Sequence, residues 1–528
     1  MDLFKDFTQK DMIEQIVLLE DLKDAKQVDA LPALFDLYAN PNPDQAVDEM
    51  VYHAIYQLLA GIDEQIVNGL RHQSDRVRLL CVCRSRDGKA VSAKPVLLEM
   101  LKTVKNPEML SEVIHALIGY KDPELLAELL PFIDHEDVSV VVWALKGLGA
   151  TGDARARDVM IERVNQSSCL KNASGECELR TALVVENLAL FKDEVSIAFL
   201  VAHIHNANPM FRRVILSALI STGSASLLAL EKVLESGEQD EKIMAANVIG
   251  FIGDKQGADL LLAHLEEVAD LNLKFAIYEA LGRIMSMRSV IGLTDGLAEH
   301  DQMVLTAVIT GLDNLFNPGV FKVLLNLLNQ ADTQSDLILK VVIMARATNI
   351  FTAIYKEGNH AERLITAVVA GGGEAMAFFS NVLSRIDTDR KEADLVRLSK
   401  VEAGKTAARR VLAADDSKAM LFFYKGGAAE LGVDMVTALD GKEAFSLLEK
   451  GDKVDLLVTD MNMPNMDGIE LTKKIRAIDE WKDLPILMAS TESEKTQKEV
   501  AMQAGVNDFI TKPFTMEQFK AKVESMFL

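Results

Sequence analysis

The sequence predicts a multidomain chain: an all-α solenoid of helical repeats, then an α/β doubly wound domain built on a five-stranded parallel sheet. Three observations carry this. A helix-pair phrase returns at a period near thirty up to about residue 330. The hydrophobic period changes from helical to mixed strand and helix at Arg410. The chain's 528 residues exceed what one hydrophobic core serves.

The repeats come first. In 135–164, HEDVSVVVWALKGLGATGDARARDVMIERV, residues Val138, Val141, Val142, Leu145 and Leu148 recur at helical spacing. Gly149, Gly152 and Asp153 supply a turn, and Val159, Met160 and Val164 mark a second amphipathic helix. The phrase returns at 211–235, 241–267, 273–299 and 303–328. Leu188, Leu219, Ile249, Leu281 and Leu312 hold matching positions thirty to thirty-two residues apart. Such a period, built from two helices, marks a solenoid in which stacking buries faces that no single pair can bury alone. The step from Leu145 to Leu188 is longer and places an insertion at 165–177. Residues 330–400 keep a helical pattern, with a break at Gly371–Gly373. We assign 1–386 to the solenoid and its helical cap, 387–404 to a charged helix or linker, and 405–528 to the last domain.

In that last domain, short apolar runs at 411–414, 434–438, 456–459, 486–489 and 509–511 alternate with candidate helices at 418–431, 441–450, 468–478, 494–504 and 515–527. Alternation of this kind predicts a parallel sheet covered on both faces. Ligands of such sheets lie at the carboxyl ends of the strands. There the sequence places Asp415 and Asp416 after strand 1, Asp460 after strand 3, Ser490 after strand 4, and Lys512 with Pro513 after strand 5. Clustered carboxylates call for a hard cation such as Mg2+, which takes oxygen ligands and keeps some of its waters. Phosphoryl transfer to a carboxylate develops charge that a metal, a lysine and a hydroxyl neutralise.

The repeats resemble HEAT repeats of the short bacterial type over roughly 30–330. The pattern DD (415–416), DMNMPNMDG (460–468), PILMAS (485–490) and TKPF (511–514) resembles response-regulator receiver domains, above all the stand-alone chemotaxis regulators. The receiver resemblance implies that Asp460 accepts phosphate from a phosphohistidine. It implies that Asp416 and Asp460 ligate Mg2+ with the Asn462 backbone carbonyl, while Asp415 orients the metal's waters. Ser490 and Lys512 would bind the phosphoryl group, Phe509 would take the aromatic switch position, and Pro513 would follow a cis peptide. Thr491 stands where the family has a small Ala or Gly, which bears on phosphate lifetime. The implied output surface is formed by the last two candidate helices and the fifth strand. Met463, Pro464 and Gly468 are read as shaping the loop.

The formal net charge is −23, and residues 405–528 carry 17 basic and 21 acidic side chains against 39 and 58 in the remainder. An acidic solenoid with scattered cations argues against nucleic acid as a ligand, because phosphates need a basic face. Cys81, Cys83, Cys169 and Cys177 have neither zinc spacing nor a secreted disulfide pattern, and are read as reduced cytosolic thiols. The N-terminus lacks a signal-peptide pattern, and Leu364–Phe379 is too interrupted to span a bilayer. The expectation is a cytoplasmic, non-enzymatic response regulator. A sensor histidine kinase or phosphotransfer protein would phosphorylate Asp460 and so switch the protein partners of the solenoid. Two alternatives stand beside it: a phospho-regulated scaffold or phosphate sink, and a HEAT-type lyase or metal enzyme regulated by the receiver. The metal variant has only His135-Glu136 as a His-Glu dipeptide, which is otherwise read as an inter-repeat turn.

Overall fold

A computed structural model describes residues 4, 7–122, 124–170, 177–266, 268–399, 409–451, 453–490 and 495–527. The chain divides into two compact units, 1–166 with 179–191, and 167–178 with 192–528.

The first unit is helical throughout its described residues. The helix Val138–Thr151 starts behind Asp137, whose carboxylate accepts the Ser139 N–H, and stops at Gly152 with φ of 64°. Val140, Val141, Ala144, Leu145 and Leu148 are buried, whereas Val138 and Val159 are 40% and 38% exposed. The expected apolar face is therefore turned toward Val140 and Ala144. The helix is packed between two neighbours, Pro107–Ile118 and Leu179–Leu188, and Val138 is its first residue. His135 sits at the turn before this helix: its Nδ1 accepts the Asp137 N–H and its carbonyl accepts from Arg180.

In the second unit the repeats continue with α1 (Pro209–Thr222), α2 (Gln239–Ile252), α3 (Leu271–Arg283), α4 (Gln302–Asn314) and α5 (Thr333–Met344). Side-chain caps start most of them: Asn208 for α1, Asp270 for α3, Asp301 for α4 and Asp332 for α5. The matched positions Leu219, Ile249, Leu281 and Leu312 are each fully buried, as the repeat register requires. Among the described residues one segment, Pro209–Ser236, is apolar and long enough by composition to cross a membrane. It consists of α1 and a second helix, Leu227–Ser236, joined by a 3-10 turn, and it buries Phe211, Ile215, Leu219 and Leu230. Gly371 separates the helices Ala361–Ala370 and Gly372–Ser384 at the expected break, and the second opens on Gly372 with φ of 82°. Within the charged stretch, Lys391–Ser399 is a helix. Its buried Asp394 accepts from Tyr355 Oη at 2.7 Å and Arg390 Nε at 2.9 Å.

The sheet of the last domain comprises β1 (Arg410–Ala414), β2 (Asp434–Ala438), β3 (Leu456–Asp460), β4 (Ile486–Ser490) and β5 (Asp508–Thr511), all parallel, in the order β2-β1-β3-β4-β5. Helices α6 (Lys418–Leu431), α7 (Gly441–Glu449), α8 (Gly468–Arg476), α9 (Lys495–Ala504) and α10 (Met516–Ser525) form the crossovers and the closing element. β1, β3 and β4 are buried on both faces, which explains their near-continuous apolar runs. One core cluster holds Val411, Tyr424, Phe514 and Phe519, and the other Leu412, Leu457, Met488 and Ile475.

The first cluster does not end at the domain. Met303 of α4 is buried among Met420, Phe423 and Tyr424, with Phe275 and Met344 packed against the same cluster. Helix α6 runs against α4, and at Gly426 a Cβ would lie 2.7 Å from Met344 Sδ. The sequence pattern separates solenoid from sheet domain, whereas these contacts gather 192–399 and 409–527 into one compact unit.

Candidate functional site

Register and caps build the rim. Asp460 pairs with Ala489, and Ser490 pairs with Thr511, so the ends of β3, β4 and β5 step around one corner of the sheet, with Asp415 following β1 beside them. Gly468 is required after β3 because a Cβ there would fall 2.1 Å from the Asp460 carbonyl oxygen. The helix beyond is capped by Asp467, which accepts the Glu470 N–H.

Lys512 is the centre of this rim. Its Nζ donates to Asp415 Oδ2 and to Asp460 Oδ1, each at 2.8 Å. Asp415 is fully engaged: Oδ2 also accepts from Tyr424 Oη at 3.0 Å, and Oδ1 accepts the Ser417 N–H at 3.0 Å. Asp460 Oδ2 accepts the Asn462 N–H at 2.9 Å. Asp416 is half-buried and accepts no hydrogen bond from any described residue.

Electrostatics follow this arrangement. Burial pushes the Asp460 carboxyl up to about 6, with Lys512 opposing that and Asp415 adding to it. Burial, then the charges of Asp415 and Asp460, hold Asp416 well above the usual carboxylate range. Burial alone lowers the Lys512 ammonium, but Asp415 and Asp460 outweigh it and keep it firmly charged. Burial likewise raises the Tyr424 hydroxyl, so it stays protonated and donates. A carboxylate without hydrogen-bond donors, beside two others that share one ammonium, is the donor set that a hard divalent cation fits.

Of the residues read from sequence, Asp415, Asp416, Asp460, Asn462 and Lys512 converge here, and the Lys512–Pro513 peptide is cis. Ser490 is buried at the end of β4, with its hydroxyl 4.0 Å from Met461 Sδ. Phe509 is half-buried on β5 against the second core cluster. Thr491 lies outside the described residues, as do 171–176 of the solenoid insertion and 400–404 of the charged stretch. Residues missed from sequence are Tyr424, in the second turn of α6, and three solenoid side chains. Arg212 Nη2 donates to Asn462 Oδ1 at 2.6 Å, Asn272 Nδ2 donates to the Lys512 carbonyl at 2.6 Å, and Ser417 Oγ donates to Glu279 Oε1 at 2.6 Å.

A five-stranded doubly wound sheet whose rim joins an acid pair, a strand-end aspartate and a lysine following β5 defines the receiver class of signalling domain. Comparison with known proteins agrees. The response regulator receiver domain model matches residues 411–524, and the HEAT repeats model matches 94–174 and 227–313. The chemotaxis protein CheY homolog of Campylobacter jejuni is 43% identical over 118 residues, 22% of this chain and 91% of that protein. CheY1 of Helicobacter pylori is 40% identical over 116 residues, 22% of this chain and 94% of that protein. CheY-3 of Vibrio cholerae is 44% identical over 119 residues, 22% of this chain and 91% of that protein. The chain belongs to the response-regulator family through this receiver domain, joined here to HEAT repeats. Its receiver places it in two-component signalling and implies a histidine kinase or phosphotransfer partner.

Proposed function

We propose that Asp460 accepts a phosphoryl group from a phosphohistidine and that this event switches the protein contacts of the solenoid. The observation that carries the reading is Lys512, held at 2.8 Å from both Asp415 and Asp460 beside a half-buried Asp416 with no donor of its own. One carboxylate oxygen of Asp460 attacks phosphorus. The N–P bond breaks, its electron pair returns to the imidazole nitrogen, and an acyl phosphate remains. Lys512 neutralises the incoming oxygens, Ser490 offers its hydroxyl, and the Asn462 N–H orients the nucleophile. Asp416, Asp460 and the Asn462 carbonyl would hold Mg2+, and Asp415 would orient its waters. The bound ion supplies charge neutralisation for the transferring phosphoryl group.

The phosphoryl group adds a charge of about −2 at neutral pH. That change is local, and the solenoid packed on the rim is the element it biases. The solenoid acts as a binding surface for protein and not as an enzyme. We place the protein in the cytoplasm, outside nucleic acid and membrane, in the kind of pathway its chemotaxis-named relatives serve. A small phosphodonor with Mg2+ should label the wild-type chain and not Asp460→Asn, and affinity capture with beryllofluoride should change its set of partners. Labelling that persists in Asp460→Asn would overturn the assignment.

A further inference from the structure

Three rim loops of the receiver are each held by solenoid side chains. The loop after β3 is held through Asn462 by Arg212, the loop after β5 through the Lys512 carbonyl by Asn272, and the loop after β1 through Ser417 by Glu279. Arg212 is 1% exposed, and the neighbouring Arg213 donates to the Asn465 carbonyl and to Glu470. With α6 packed on α4 and Met303 buried in the receiver core, the solenoid forms the far wall of the phosphoacceptor cleft. The cleft is partly open and about 290 Å³ in volume, and Asp460 is only 8% exposed. That volume is at the bottom of the range for small-molecule sites, about 300 Å³ and upward. It holds a phosphoryl group or a small donor. A histidine carried on a folded domain reaches Asp460 only with that domain seated on the rim, where Arg212, Asn272 and Glu279 already hold the solenoid.

Resting on the reading of Asp460 as phosphoacceptor, we propose that Arg212, Asn272 and Glu279 are specificity-determining residues. Docked, they admit a small-molecule phosphodonor and exclude a protein-borne phosphohistidine. Transfer from a kinase or phosphotransfer domain therefore requires the solenoid to lift from the rim. By reciprocity, a phosphoryl group that rearranges these loops weakens the docking, and any partner that captures the freed solenoid face favours phosphorylation. This reads the modification at the rim itself rather than through β5 and the last two helices. Losing a hydrogen bond to a charged group, as at Arg212 or Glu279, shifts an equilibrium by about tenfold or more, and losing the neutral Asn272 contact by about two- to tenfold, so each contact matters to the open population.

The test uses the full-length chain with Mg2+ and two donors: acetyl phosphate, and the phosphorylated histidine-phosphotransfer domain of a chemotaxis kinase. The variants are Arg212→Ala, Asn272→Ala and the triple variant with Glu279→Ala, each checked for folding by amide exchange of the sheet. Asn272→Ala serves if loss of the buried Arg212 compromises folding. We expect acetyl phosphate to label wild type and variants at similar rates, and the protein donor to label Arg212→Ala and the triple variant at least about tenfold faster than wild type and Asn272→Ala at least about twofold faster. Equal protein-donor rates in wild type and variants, whatever their size, overturn the gate while leaving Asp460 as the acceptor. Absence of labelling by acetyl phosphate in every form overturns the acceptor reading and the gate with it.

Discussion

Replacing Lys512 by Met should expose how much the rim depends on one ammonium. Lys512 is 8% exposed and bonds two carboxylates at 2.8 Å each. Removing one partner of a buried ion pair costs about 3–5 kcal/mol, because the remaining charge is left uncompensated. Here two carboxylates lose the same partner. Native-state hydrogen exchange at β3 and β5 measures the free energy of opening locally. At pH 8 without Mg2+, Lys512→Met should lower it by about 3–5 kcal/mol. The pH sign follows from Asp460, which burial already raises from 3.8 to about 6 and which loses its main lowering influence in the variant. A carboxylate raised in the folded state destabilises the fold at high pH, and the penalty fades as pH falls through the folded value toward the unfolded one. The deficit should therefore shrink between pH 8 and pH 5, and Asp460→Asn in the same chain should recover part of it. A loss below about 1 kcal/mol, or one indifferent to pH and to Asp460→Asn, would refute the view that this ammonium holds the acidic rim together.

Other consequences follow from the same geometry. Mg2+ should raise the midpoint of thermal unfolding of wild type, by an amount equivalent to about 2.7 kcal/mol at a hundredfold excess over Kd, and Asp416→Ala should abolish the rise in a calorimetric scan. Gly468→Ala, whose Cβ would meet the Asp460 carbonyl at 2.1 Å, should displace the β3 loop and eliminate phosphoryl labelling while the solenoid's far-ultraviolet helicity persists. Met303→Ala should remove a fully packed contact between solenoid and receiver worth about 2–5 kcal/mol and speed amide exchange in α4 and α6. Exchange that stays at wild-type rates there would contradict the joint core.

Much of this was legible from residue types and spacing. The strands and helices of the receiver lie within two residues of their expected ends because turn residues and caps such as Ser417, Asp440, Asp467 and Thr515 bound them. The acidic rim was legible because parallel strands bring their carboxyl ends together whatever lies between them. The solenoid period was legible, but its burial was not: Val138 shares the helical spacing yet lies exposed, since packing on two sides turns the apolar stripe. Least legible were Arg212, Asn272 and Glu279. Some 140 to 250 residues separate each from its receiver partner, and nothing local distinguishes an arginine that clamps a loop from one that faces water. Tyr424 was missed for a similar reason, as an aromatic on a core helix whose hydroxyl alone touches the site.

On the proposed function, the solenoid packed against the receiver reads its phosphorylation state. Hydrogen exchange of the full-length chain, with and without beryllofluoride and Mg2+, tests it most directly. Faster exchange in α1 and α3 on adding the mimic, absent in Asp460→Asn, is the predicted result. Changes confined to residues 405–528 would contradict it.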